Sequence, residues 1–135
     1  MDKKKILILF GGVSAEHEVS IITGLQVAEQ IDTEIYEPHL VYVNKKGESH
    51  YQGVITSRKD FNVNKQNLVE WGRDEKGGYI NVKGFTKPKI YPAAAYMAFH
   101  GGNGEDGTWQ GLLEGLGVPH TSASHEAMSI TMNKS

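Results

Sequence analysis

The 135-residue chain contains no cysteine. That excludes a disulfide framework and any thiolate metal site, and nothing else in the composition points to secretion. An excess of one charge is missing too. Fourteen lysines and arginines stand against 16 acids, a net charge of −2, so no basic surface marks a nucleic-acid partner. Long apolar runs are absent. The amino-terminal run Ile6-Leu7-Ile8-Leu9-Phe10, after Lys3-Lys4-Lys5, is far too short for a signal-peptide core or a membrane span. No repeat or low-complexity tract occurs. What remains is an ordinary globular composition, 39% hydrophobic and 22% charged. The chain is long enough to bury one core without covalent staples. It reads as a single cytoplasmic domain with neither a membrane nor a nucleic-acid partner.

Two strand-loop-helix units stand out. Ile6–Phe10 lacks polar alternation and suits a strand buried on both faces. Gly11-Gly12 ends it, Ser14 is a candidate N-cap, and Glu16 and Glu18 fall where a helix macrodipole favours acids. Ile21, Leu25, Ala28 and Ile31 then recur on one helical face. Residues 35–43 supply the next strand, with Pro38 suggesting irregularity near its start. The second unit begins with the apolar run 93–99, passes through His100-Gly101-Gly102-Asn103-Gly104-Glu105-Asp106-Gly107, and enters a stripe of Trp109, Leu112, Leu113 and Leu116. Four glycines in seven residues imply positive φ or close approach of backbone to a ligand. Gly117 closes that helix. Residues 118–121 form a short strand or connector, and Ser122 or Ser124 caps a last helix with Ala127, Met128 and Met132. Because the sequence stops at Asn133-Lys134-Ser135 on a helix end, a domain boundary is expected there.

Between these units the pattern is weaker. Asn44-Lys45-Lys46-Gly47 is turn-rich, residues 49–54 suit the return strand of a hairpin, and residues 79–82 another short strand. A short helix or turn is expected within residues 61–68. Pro88 and Pro92 mark irregular chain. Residues 44–90 are thus a β-containing elaboration on an α/β sheet.

Open α/β sheets bind ligands at the carboxyl ends of their strands. In a parallel sheet the loops after the first strand and after residue 99 emerge on one edge, where Glu16 and His100 can converge. A carboxylate there suits an ammonium group, and an imidazole beside it suits a carboxylate or holds the glutamate in place. Structural readings of the same residues stay open: Glu16 and Glu18 as surface acids of a helix start, His100 as a satisfied strand-end residue, and residues 101–107 as a plain turn. Neither G-x-G-x-x-G nor G-x-x-x-x-G-K-[ST] occurs. The acids of the first loop would repel phosphate, so a cationic or zwitterionic ligand is favoured. His17, His39, His50, His120 and His125 show no metal-ligand spacing.

GGVSAEHEVS, residues 11–20, and HGGNGEDGTWQGLLE, residues 100–114, together resemble the amino-terminal domain of D-alanine–D-alanine ligases. The segment from Gly117-Val118-Pro119-His120-Thr121 to Met132-Asn133-Lys134 is similar to that family's stretch leading to its M-D-K signature. The likeness is weak or absent through residues 44–90. Asn133 stands where the family has aspartate, and Thr121-Ser122-Ala123-Ser124-His125 replaces a more glycine-rich stretch.

The resemblance implies a three-layer α/β fold with a mostly parallel sheet, Rossmann-like, placed before the ATP-grasp domains. It implies an ATP-dependent ligase in which the carboxylate of one D-alanine is phosphorylated and the amine of a second attacks the acyl phosphate. The product would be the dipeptide used in peptidoglycan. By position, Glu16 would bind the ammonium of the first D-alanine, with His100 and Gly101 at the same subsite. Val19 and Ser20 would shape the pocket, and Glu105 would join the supporting hydrogen-bonded network. Lys134 would reach the ATP phosphates. The central and carboxy-terminal domains, which bind Mg2+ and most of ATP in the family, have no counterpart in these residues, so no ligase activity is expected from them alone. The resemblance also implies a homodimer of the complete enzyme. A related ligase, such as a D-alanine–D-lactate ligase, fits the same residues. A free-standing small-molecule binding domain is the reading from another class.

Overall fold

The computed structural model describes residues 3–12, 17–56, 61–63, 65–83, 89–99 and 105–122, with the backbone alone for residues 105–107 and 122. Strand β1 (Lys4–Gly11) leads to helix α1 (His17–Gln30) and strand β2 (Tyr36–Val43). Then follow β3 (Ser49–Val54), the pair β4 (Val69–Asp74) and β5 (Gly77–Val82), β6 (Ala94–Met97), α2 (Glu105–Leu116) and β7 (His120–Ser122). The main sheet has the order β3-β2-β1-β6-β7. β1 pairs in parallel with β2 and β6, β6 pairs in parallel with β7, and β3 alone is antiparallel. β4 and β5 form a separate antiparallel pair. This is the α/β architecture expected, with the β-containing elaboration in the middle.

Alternation along β1 explains the layers. Leu7 and Leu9 face one side, with Val41, Val43, Met97, Trp109 and Leu113 beneath α2 and the β4–β5 pair. Ile8 and Phe10 face the other, with Leu25, Ala28, Leu40, Tyr42 and Tyr96 beneath α1. Leu7, Ile8, Leu9 and Phe10 have no exposed surface, and burying each such side chain stabilises the fold by about 1.5–3 kcal/mol. Residues 6–10 of the strand are apolar without alternation because both faces are covered. α1 lies close on the sheet at Gly24, where a Cβ would stand 2.7 Å from Phe10 Cβ.

α2 ends as Gly117 predicts. Gly117, at φ +76, sends its N–H to Glu114 C=O (3.1 Å), and Val118 N–H reaches Leu113 C=O (2.9 Å). These two bonds satisfy carbonyls that the helix itself leaves open, and Leu113 and Val118 share the core cluster behind them. Arg73, from β4, donates to Gly115 C=O at 3.2 Å.

Three expectations change. Pro38 sits in register opposite Ile6; the β2–β3 irregularity lies instead between Leu40 and Val41, opposite Gly53 and Tyr51, where Gly53 takes φ +91. Of the short helix or turn expected within residues 61–68, the described residues show neither, only a bend at Gln66. Phe61 and Val63, two apart, both pack on the α1-side cluster, while Asn67 C=O accepts Tyr51 N–H (2.8 Å) and Leu68 bridges His50. Strand β4, unanticipated, pairs with β5. The expected last helix lies outside the described residues.

Candidate functional site

β1 runs through α1 to β2 on one side, while β6 occupies its other side, so the connections diverge between β1 and β6. At such a switch point open α/β sheets place their ligands, outside the carboxyl ends of the strands. Both glycine-rich stretches singled out in the sequence start there. The chain leaves β1 through Gly11 and Gly12, at φ +95 and +97. Beside them, Ala98 continues from β6 and donates its N–H to Leu9 C=O at 2.8 Å.

One hydroxyl joins the two exits. Ser20, on α1 and wholly buried, accepts Gly11 N–H at 2.8 Å and donates to Ala98 C=O at 2.5 Å. Expected among the pocket residues, Ser20 is committed to backbone on both sides and lies behind the strand ends. Val19, its neighbour, is 45% exposed. Glu105 opens α2 as its first residue. Glu16, His100, Gly101 and Lys134 lie outside the described residues. The structure therefore places the strand ends that lead to Glu16 and His100 side by side.

His17 joins the site without having been singled out. Its ring is 3% exposed, with Nδ1 2.5 Å from Gly12 C=O and Nε2 2.8 Å from the Tyr42 hydroxyl. A carbonyl only accepts, so Nδ1 carries the proton, and in the neutral ring Nε2 accepts from Tyr42 O–H. Tyr42 lies edge-on to the His17 ring, with centroids 5.3 Å apart. Burial raises the phenol pKa above its ordinary value, and the Glu18 charge adds to this. The sequence places a histidine five residues after Gly12, a weak signal. Its partner Tyr42 is 25 positions away, and no local pattern could supply it.

A groove of about 350 Å³ opens beside this cluster. Glu18 and Glu48 stand in it with Lys45, Lys46 and Lys65, so it offers both charges to a zwitterion. A second cavity, about 360 Å³, lies at the opposite edge of the sheet between Ile6, Ile31, Tyr36, Ala94 and Pro119. Mostly apolar, with Lys4 and His120 also in its lining, it lies away from both strand exits. Another polar chain runs through the amino-terminal half of β2. Buried His39 bonds Glu37 through Nε2 and the Tyr51 hydroxyl through Nδ1, both at 2.7 Å. Burial lowers the His39 pKa against the opposing effect of Glu37, and pushes Tyr51 up to about 12. Among the described residues no group of three or more His, Cys, Asp or Glu could hold a metal ion. No described helix is long and apolar enough to cross a membrane.

Residues 5–123 match the family model described as the D-ala D-ala ligase N-terminus. The D-alanine–D-alanine ligase of Thermoanaerobacter sp. (strain X514) is 37% identical over 148 residues, covering 99% of this chain and 38% of its own length. That of Staphylococcus epidermidis (strain RP62A) is 39% identical over 135 residues, covering 99% and 36%. Among solved structures, D-alanyl-alanine synthetase A from Vibrio cholerae aligns with a TM-score of 0.66 and 28% identity, over 90% of this chain and 31% of that one. A D-Ala:D-Ser ligase from Enterococcus faecalis gives 0.64 and 28%, over 88% and 35%. The D-alanine–D-alanine ligase from Coxiella burnetii, at 22% identity and a TM-score of 0.71, shares the fold. The chain thus spans about a third of the length of these ligases. Matched by that family model over residues 5–123, the chain belongs to the family of D-alanine–D-alanine ligase amino-terminal domains.

Proposed function

We propose that this chain is the substrate-side domain of an ATP-dependent D-alanine–D-alanine ligase and that it binds the first D-alanine. The observation that supports this best is the join at the switch point, where Ser20 holds the ends of β1 and β6 together. Glu16 follows the first of these exits and His100 the second. The Glu16 carboxylate is read as the partner of the substrate ammonium. His100 and Gly101 complete the subsite, Val19 borders it, and Glu105 supports it through hydrogen bonds. A carboxylate holds an ammonium through charge-assisted bonds, which are stronger than neutral ones. The substrate carboxylate is thereby presented for activation, the chemistry that ATP supplies in the complete enzyme.

Lys134 is read as a phosphate contact. From the family resemblance, Mg2+ and most of ATP are assigned to the parts that the relatives carry beyond the aligned third. Phosphoryl transfer depends on such charge stabilisation, and residues 1–135 alone are expected to be inactive. The complete enzyme is read as a cytoplasmic homodimer serving peptidoglycan synthesis. A ligase for another second substrate is the alternative, because the D-Ala:D-Ser ligase shares this fold at similar identity. That sharing supports placing second-substrate choice outside this domain.

The test is an amide NMR titration with D-alanine, with L-alanine as control. Shifts confined to residues 11–20 and 98–107, specific to D-alanine and lost in Glu16→Ala and His100→Ala, are expected. Equal response to both enantiomers, or shifts at the opposite edge of the sheet, would overturn this assignment.

A further inference from the structure

The described residue nearest Glu16 in sequence on the helix side is His17, and nothing in the proposed chemistry uses its ring. It is 3% exposed, yet both of its nitrogens are engaged, one by the last described residue before the loop and one by a side chain of the neighbouring strand. Ser20 sits three positions further along α1, on the same face of the helix. From these two positions α1 grips consecutive residues: Ser20 holds Gly11 through its N–H, and His17 holds Gly12 through its C=O. Ser20 also reaches Ala98, two residues before His100. Gly12 is at φ +97, with its own N–H given to Val43 C=O at 2.7 Å. Among the described residues the imidazole is the side chain that holds its carbonyl, and a glycine is the residue least able to hold a direction by itself.

We infer that His17 is a positioning residue: in its Nδ1–H form, backed by Tyr42, it fixes the Gly12 peptide and so sets the path by which the chain reaches Glu16. Ser20 carries the same constraint across to the strand that leads to His100. The two substrate groups are then held by one frame, with α1 as its shared member. This inference rests on the reading of Glu16 and His100 as one subsite, and its test separates the two.

Asparagine and glutamine divide the functions of the ring. In His17→Asn the introduced side-chain amide nitrogen would fall near the place of the imidazole Nδ1 and can still donate to Gly12 C=O. His17→Gln reaches Tyr42 but presents no donor at the Nδ1 position. The full chain carrying each substitution is compared by native-state amide exchange without ligand and by D-alanine titration. In His17→Gln, exchange is expected to rise at residues 11–16 and 98–101 only, with D-alanine affinity about tenfold weaker. The affinity loss corresponds to one hydrogen bond. His17→Asn is expected to keep exchange and affinity within about threefold of the parent. Two-bond nitrogen–proton spectra of the parent chain should show the proton on Nδ1. Equal effects of the two substitutions, a rise in exchange spread evenly over the domain, or a proton on Nε2 would overturn the inference. If the parent chain ignores D-alanine, the subsite reading fails, but the exchange comparison and the tautomer still decide the role of His17.

Discussion

The approach of α1 to β1 can be tested with one substitution made on two helices. Replacing a helix-interior glycine by alanine stabilises a protein by about 1 kcal/mol where space allows, through helix propensity and a less free unfolded chain. Gly111, on the exposed face of α2, has nothing within 4 Å of an added Cβ, so Gly111→Ala should gain that full amount. Gly24 has the same propensity term, but its Cβ would stand 2.7 Å from Phe10 Cβ and 2.9 Å from Phe10 Cγ. Carbon atoms rest at about 3.5–4.0 Å. Phe10 cannot yield, because its Cβ is fixed to the central strand and its ring is fully buried. The helix must lift instead, which costs about 1–3 kcal/mol as overpacking and strains the Ser20 and His17 bonds. Cost outweighs gain. Gly24→Ala should lose about 1–2 kcal/mol net, and melt about 3–6 °C lower, while Gly111→Ala melts about 3 °C higher. Urea and thermal unfolding followed by far-UV circular dichroism measure both. A Gly24→Ala chain as stable as the parent, with Gly111→Ala stabilised as expected, would refute the close packing of α1 on Phe10.

Other outcomes follow from single sites. Gly11→Ala should cost about 3 kcal/mol in urea unfolding, because its φ of +95 disfavours a side chain and the new Cβ would collide with Val43 C=O. Burial depresses the His39 pKa below 6.5, so its contribution to stability is complete above pH 6.5 and declines as the pH falls from there through the folded-state value. The urea midpoint should therefore fall between pH 7 and pH 5 more steeply in the parent than in His39→Gln. Tyr91 O–H, 2.7 Å from Asp74 Oδ2, is the main reason the Asp74 carboxyl titrates below 3.8, with Lys89 adding to it. Carbon-detected NMR titration should show the Asp74 midpoint move up in Tyr91→Phe.

Sequence reading reached the parts of the fold whose burial is uniform or strictly periodic. Ile6–Phe10 is apolar because helices cover both faces of β1, and the Leu113 and Trp109 spacing of α2 follows from one buried face. β4 escaped because its burial is partial and mixed. Val69 alone is buried, Gly72 gives up its side chain to make room for Tyr79, and Arg73 and Asp74 reach polar partners. Such a strand carries no period. The two strand exits were legible as the glycines that follow apolar runs, and their placement on one sheet edge follows from parallel β1 and β6. The His17–Tyr42 pair was not, since a buried histidine and a strand tyrosine acquire meaning only when the sheet brings positions 25 apart together. The two backbone bonds of Ser20 were not legible either, because they join residues 9 and 78 positions away.

The aromatic stack behind the second exit gives the domain a built-in optical reporter. Its two tryptophans, Trp71 and Trp109, have ring centroids 5.6 Å apart, and Trp109 stacks on Phe99 at 6.1 Å, one residue before His100. Trp71 is anchored to the main sheet through its indole N–H, which donates to Ser49 Oγ at 3.0 Å. One fluorophore is therefore tethered to the scaffold while the other rides on the helix that begins with Glu105. Two indoles this close couple electronically, so near-ultraviolet dichroism and emission wavelength register small changes in their relative angle. Movement of α2 against the sheet would change colour before it changed secondary structure, without any label being attached.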